Sequence, residues 1–353
     1  MKHLLFFSIA SLVVFVQACI SFGHTGTKQT QNISATSSSG LVSDIEKIIR
    51  LADAFKASLS SEQLAQVQLA YSKTDAMKWS NFPASFRNAQ RVGLSFGTMT
   101  ADQVTLAKTL LKVVSGTIPH DGYEELQEII NADDYLRSNG SGPEYGAANY
   151  YLAFLGTPAT TGTFEIQFGG HHLAFANTYT NGILTGATPS FRGVEPFGAF
   201  GDNNEPLNGE QAAFAALLAG LSTQELEVAK LDRTFGDILL GPRRDAAFPA
   251  NPSGLKCGNL TAVQKDLVLK AIETYVKDID GNSASAIMAK YTRELNDTYI
   301  AYSGTTSMAN RNDYVRIDGP SVWIEWSMQG GVIMRGNHPH SVWRDKKNDY
   351  GGN

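Results

Sequence analysis

The chain has 353 residues, 42% hydrophobic and 18% charged, which is ordinary globular usage and long enough to bury a large core. The formal charge is -5 and the pI about 5.8, with Lys and Arg scattered along the chain, so there is no basic stripe of the kind that nucleic-acid binding requires. Two cysteines, Cys19 and Cys257, do not make a disulfide framework if the first is modified, and the fold must then rest on its core.

Met1-Lys2-His3 followed by an apolar run over 4–16 reads as a signal peptide, too short to span a membrane alone. Val16-Gln17-Ala18-Cys19 resembles the bacterial lipobox, with Gln17 a poor match. Lipidation at Cys19 is favoured over ordinary cleavage nearby, which places the protein outside the cytoplasm as a secreted or envelope-anchored chain. The expected organisation is a signal peptide over 1–18, a lipid-anchored or free Ser/Thr/Gly/Gln-rich tether over 19–40, and a single domain over 41–353.

From residue 41 to about 139 the apolar period is helical, with Ile45, Ile48, Ala52 and Phe55 on one face of a first helix. Capping boxes, in which a hydroxyl and a Gln or Glu three residues on satisfy the free amides of a first turn, begin at Ser60, Thr100, Ser222 and Thr261. Ser60 to Thr100 and Ser222 to Thr261 are each about forty residues apart, which leaves open a duplicated helical unit against the plainer reading that helix starts look alike.

The period then changes. Phe164 to Phe168 alternates, and Gly169-Gly170 and Asn181-Gly182 are two-residue turn signals, so a three-stranded meander is predicted over 164–185. Turning at Gly169-Gly170 sets Phe168 opposite His171 and Gln167 opposite His172, which makes His171 a core histidine and His172 the functional candidate. Residues 188–209 read as a long Pro/Gly/Asn loop able to line or cover a site. Helices are expected at about 210–231, 262–277 and 283–295, and strands at 299–302, 313–317, 322–327 and 332–335. The fold class is therefore α+β, a helical N-terminal half packed on a mostly antiparallel sheet.

The chemistry concentrates in residues 310–351. His338-Pro339-His340 in an extended segment points two imidazoles the same way, a common presentation of two ligands to one metal. His172 can add a third imidazole and Glu325 a carboxylate, a set suited to one divalent ion, zinc first. Arg344 can hold an anionic substrate, and Asp345 can orient a histidine. Each residue also has a structural reading: His338 and His340 as loop caps, Arg344 and Asp345 as an ion pair, Glu325 paired with Arg316 or Arg335. Motifs for a serine-hydrolase elbow, a phosphate loop and His-Glu-x-x-His are absent.

Gly170-His171-His172-Leu173, Thr188-Pro189-Ser190-Phe191, Tyr314-Val315-Arg316-Ile317 with Gly319-Pro320, Ile324-Glu325, and Asn337-His338-Pro339-His340 leading into Val342-Trp343-Arg344-Asp345 and Asn348-Asp349-Tyr350-Gly351 together resemble a bacterial and fungal family known as a domain of unknown function, number thirty-five hundred. The resemblance covers nearly the whole chain after the tether and implies one family domain with no established activity. Two functions remain in competition: hydrolysis assisted by a divalent metal, with Glu325, Arg344 and Asp345 as catalytic groups, and a non-catalytic surface binder of a carbohydrate or other small ligand using aromatic residues such as Trp323, Trp326 and Trp343 and the loop over 188–209. Neither calls for a nucleic-acid partner, and membrane contact is expected only through the N-terminal lipid.

Overall fold

The two halves of the chain build similar series of elements. The computed structural model describes residues 37–86, 90–198, 204–245 and 247–352; the expected signal peptide, Cys19 and the expected tether up to residue 36 lie outside the described residues. The first half runs α1 (Ser37–Ala57), α2 (Ser61–Val67), β1 (Gln68–Leu69), α3 (Lys73–Ala76), β2 (Leu94–Ser95), α4 (Ala101–Val114) and α5 (Tyr123–Ser138). It continues with β3 (Tyr151–Leu155), β4 (Thr163–Gly170), β5 (Leu173–Thr180), β6 (Ile183–Gly186) and β7 (Ser190–Gly193). The second half runs α6 (Asn208–Ala219), α7 (Thr223–Ala229), β8 (Leu255–Lys256), α8 (Ala262–Val276) and α9 (Gly281–Glu294). It closes with β9 (Tyr299–Ser303), β10 (Tyr314–Asp318), β11 (Val322–Gly330) and β12 (Asn337–Asp345).

The repetition extends to hydrogen bonds. All four capping boxes form. The Gln63 and Gln103 side chains of the first pair bond each other, and Gln103 donates to the Ser58 carbonyl. In the second pair Gln264 donates to Glu225 and to the Gly220 carbonyl. Just after α2, β1 lies parallel to β3, and just after α7, Lys230 bridges parallel to Tyr302 in β9. The forty-residue spacing in the sequence thus marks a true structural duplication.

The strands join in one twelve-stranded sheet of order β1-β3-β4-β5-β7-β12-β11-β10-β9-β8, with β2 on β3 and β6 on β5. Apart from the parallel β1–β3 pair its strand pairings are antiparallel. Helices are interspersed through the whole chain, so the expected helical N-terminal half is corrected: each half carries its own helices because each half is one copy of the unit. The two copies meet where β7 pairs β12, with Ser190 opposite Trp343 and Gly193 opposite His340.

Period-two alternation sorts the β11 and β12 side chains. Val322, Ile324, Trp326, Met328 and Trp343 turn toward one large core shared with α6, α8 and α9. The first copy buries Ile45, Ile48, Ala52 and Phe55 of α1 with Leu110, Leu111, Phe164, Ile166 and Phe168. Fully burying side chains of this kind contributes roughly 1.5–3 kcal/mol each. Trp323, Trp326 and Trp343 are at most 1% exposed, so these indoles form no surface platform for a sugar.

Two local expectations change. Residues 188–209 contain β7, a central strand, because Ser190 to Gly193 are needed to join the two copies. The strand expected at 332–335 starts instead at Asn337, and 331–336 form the turn before it. Among the described residues no helix is long and apolar enough to cross a membrane.

Candidate metal centre

The β4–β5 turn is made by His171 and His172 rather than by Gly169-Gly170, since Gly170 pairs with Leu173 and Phe168 with Phe175. The register moves by an even number of residues, so Phe164, Ile166 and Phe168 keep the core face they were expected to take. His172 adopts φ +62°, a left-handed conformation uncommon outside glycine, with its amide held by the Asn81 carbonyl at 3.1 Å and its carbonyl by the Gly193 amide at 2.7 Å. Gly170 is required at the end of β4, since a Cβ there would lie 2.6 Å from the Tyr150 ring. Tyr150 in turn donates from its hydroxyl to the His171 carbonyl.

His171 is a core histidine: its Nδ1 sits 2.7 Å from Asp133 Oδ1, and Tyr145 packs edge-on against its ring. His172 stacks on it at 3.8 Å between ring centroids and faces the other way, toward the seam between the copies.

There it meets β12. His338 and His340 share one face of that strand, with centroids 5.0 Å apart and 5.3 and 5.2 Å from His172. One nitrogen from each ring lies within 4.8 Å of the others, and among the described residues this is the group of three or more His, Cys, Asp or Glu side chains that meets that limit. Gly193 makes the approach possible. It lies between the two rings on β7, and a Cβ there would stand 3.1 Å from His172 Cδ2, 3.1 Å from His340 Cδ2 and 3.0 Å from the Pro339 carbonyl.

The spacing of the nitrogens is compatible with a shared ion. Nε2 of His172 and Nε2 of His340 are 3.2 Å apart. Two nitrogens bound about 2.0–2.1 Å from one tetrahedral ion would be about 3.3 Å apart. Nδ1 of His340 is 3.0 Å from Asp237 Oδ1; with the proton on Nδ1 donated to that carboxylate, Nε2 presents a lone pair to the cluster. Nδ1 of His338 is buried without a hydrogen-bond partner. Burial, reinforced by the neighbouring imidazoles, holds His172 well below the ordinary histidine range and His338 down at about 3, so both rings are neutral and able to coordinate. Burial opposes charge on Asp237, yet His340 and then the Ile238 amide and His338 keep its carboxyl below the usual value.

The other expected site residues stand apart from the imidazoles. Arg344 lies on the same face of β12 as His340, but four residues along a strand is about 13 Å. Its guanidinium is fully buried, bonded to Asp349, Asp245 and the Leu240 carbonyl, over the rings of Trp79, Phe248 and Tyr350. Asp345 points the opposite way and accepts from Lys290, Tyr291 and the Lys347 and Asn348 amides. Glu325 is fully buried, and its carboxylate accepts from the Leu239 and Leu240 amides, the Tyr314 hydroxyl and the Trp323 indole, which occupies its acceptor sites. It is not among the groups that converge with the histidines.

Asp237 was missed from the sequence. It carries no motif, and its role depends on a segment anchored two and three residues later on Glu325. Cys257 is buried and free, and burial pushes its thiol up to about 12, which fits a structural role.

No curated protein and no solved structure matches this chain. Residues 42–352 match the family described as "Protein of unknown function (DUF3500)", and the chain belongs to that family.

Proposed function

We propose that the protein is an extracytoplasmic metalloenzyme, a hydrolase whose divalent ion is held by His172, His338 and His340. The observation that carries the reading is the convergence of three imidazoles from opposite copies of the fold, those of His172 and His338 buried and that of His340 partly so, one with an unpartnered Nδ1 and one oriented by a carboxylate. A hydrogen bond between two neutral imidazoles accounts for the His172–His340 contact alone, whereas one ion also accounts for the third ring, whose Nδ1 has no partner. An ion on three neutral imidazoles keeps a coordination position open, acidifies water toward neutrality and polarises a substrate carbonyl or phosphoryl oxygen. Zinc suits three nitrogen ligands best.

The chain's own residues supply the rest. Asp237 is half-exposed beside His340 and so lies between the buried rings and solvent, where it can both orient the imidazole and accept a proton. Glu325 fixes the segment bearing Asp237. Anchoring at Cys19 would display the site at the cell envelope.

Elemental analysis of the purified protein, followed by a screen of ester, phosphoester and amide substrates, tests the proposal. One metal ion per chain, lost in His338→Ala together with any hydrolysis found, is the expected result. Wild-type protein that takes up no zinc, manganese or iron after chelation and reloading would overturn it.

A further inference from the structure

A separate cleft opens where helices of the two copies face each other. Three helices line it with residues one turn apart: Ile48 and Leu51 of α1, Thr109 and Val113 of α4, and Ala284 and Met288 of α9. The first two helices belong to the first copy and the third to the second. The cleft measures about 770 Å³, within the roughly 300–1,000 Å³ of small-molecule pockets. Its floor is apolar and lies deep, with Ile48 and Ile279 only 4% and 5% exposed, while Ile118 stands at the mouth, 47% exposed. An occupant must enter the cleft to cover that floor, which suits a slender chain and not the broad face of a second protein.

The rim is charged, and most of its charges are committed. Lys277 pairs with Asp121 at 2.9 Å, and the Asp280 carboxylate caps α9 by accepting the Ser283 amide at 3.0 Å. Lys47 and Lys112 are exposed on the same rim, and the lysine ion pairs among the described residues all fall elsewhere. Glu273 is the remaining carboxylate of the lining set against them. The far side of α9 offers a contrast. A cleft of about 540 Å³ there is apolar as well, but its Lys290 is taken by Asp345 at 2.7 Å and Asn348 at 3.0 Å. Only the larger of the two clefts therefore joins an apolar floor to cations without a partner.

We propose that the cleft between α1, α4 and α9 binds a fatty acid, with its alkyl chain along Ile48, Leu51, Ile279 and Met288 and its carboxylate at Lys47 and Lys112. The apolar lining supplies the affinity, since each methylene taken out of water is worth up to about fourfold in binding. The two lysines supply the preference for a negative head group over a positive one. An ammonium on a flexible four-carbon stem can follow a head group held at the mouth while the chain lies below it. The site is remote in kind from the imidazole centre, because it needs neither an ion nor a histidine.

The probe is sodium dodecanoate, titrated calorimetrically below its micelle concentration into the full chain after lipid is stripped on an apolar resin. Octanoate and dodecyltrimethylammonium control for chain length and head charge. One dodecanoate per chain is expected, with octanoate at least about tenfold weaker and dodecyltrimethylammonium weaker than dodecanoate. Met288→Asp, which sets a charge on the apolar wall, should abolish binding, and the double variant Lys47→Glu with Lys112→Glu should weaken it at least about fivefold. His338→Ala should bind as the wild type does. Both lysines are exposed, so the double variant decides the matter if Met288→Asp fails to fold. Absence of saturation up to about 1 mM dodecanoate, equal affinity for dodecyltrimethylammonium, wild-type affinity in a folded cleft variant, or a ligand-free dimer in sedimentation that Met288→Asp dissociates would overturn the proposal.

Discussion

Nε2 of His172 lies 3.2 Å from Nε2 of His340 although 168 positions separate them in the chain. The contact is set by three strands side by side: the β4–β5 turn carries His172, β12 carries His340, and Gly193 of β7 bonds one and pairs with the other. Each copy of the duplicated unit contributes to it, yet the equivalent turn of the second copy, over 319–321, has no histidine. The centre thus sits at the junction of the copies without sharing their symmetry.

Asp237→Asn should weaken metal binding by about 10–100-fold, the range seen when an outer-shell partner of a histidine ligand is lost. An amide no longer fixes the proton on His340 Nδ1, so the tautomer with a free Nε2 loses its advantage. Because the Asp237 side chain is about half exposed, thermal stability of the metal-free protein should change little. Competition against a chromogenic chelator measures the first effect and a melting curve the second. Wild-type affinity in the variant would remove Asp237 from the centre.

Gly193→Ala should cost about 1–3 kcal/mol through overpacking and lower metal content at the same time. The added methyl would press on both imidazoles and on the Pro339 carbonyl, which belongs to a central strand and has little freedom to retreat. Urea denaturation with elemental analysis of the same sample tests both. A variant with unchanged midpoint and full metal occupancy would show that the rings have room to separate without losing the ion.

Local rules located much of this in the sequence. The capping boxes were legible because a cap is decided within four residues, and the shared face of His338 and His340 because it follows from strand alternation alone. The pairing of His172 with them rested on proximity in space, and the structure brings the rings together. What local pattern hid was long-range. Gly169-Gly170 carried the stronger turn signal, but those glycines serve close packing, with Ala174 beside one and the Tyr150 ring over the other, and the turn fell on the histidines. The central strand β7 looked like loop because Pro, Gly and Asn surround its four residues.

Glu325→Gln distinguishes an anchoring role from a ligating one. The amide keeps one acceptor oxygen but turns an NH2 toward groups that donate, leaving one or two of the Leu239, Leu240, Tyr314 and Trp323 donors without an acceptor. A loss of about 3 kcal/mol in unfolding free energy is expected, with metal affinity reduced only as far as the Asp237 segment moves. Complete loss of metal from a variant of wild-type stability would instead make Glu325 a ligand.

Glu165 gives a pH dependence whose sign can be worked out. It is fully buried on β4, and burial raises its carboxyl to about 7 despite hydrogen bonds from Thr178 and Gln167. Below the ordinary value of 4.5 the group is protonated in the folded and the unfolded chain alike and contributes nothing. Between 4.5 and about 7 the unfolded chain gives up the proton while the folded chain retains it, so stability falls as pH rises across that window and the full penalty persists above it. The shift corresponds to about 3 kcal/mol at most. Glu165→Gln carries no such charge. It should be more stable than wild type at pH 8, and the difference should shrink steadily toward pH 4.5 in chemical denaturation at a series of pH values. A constant difference across the series would mean that the carboxyl ionises in place with compensation from its neighbours.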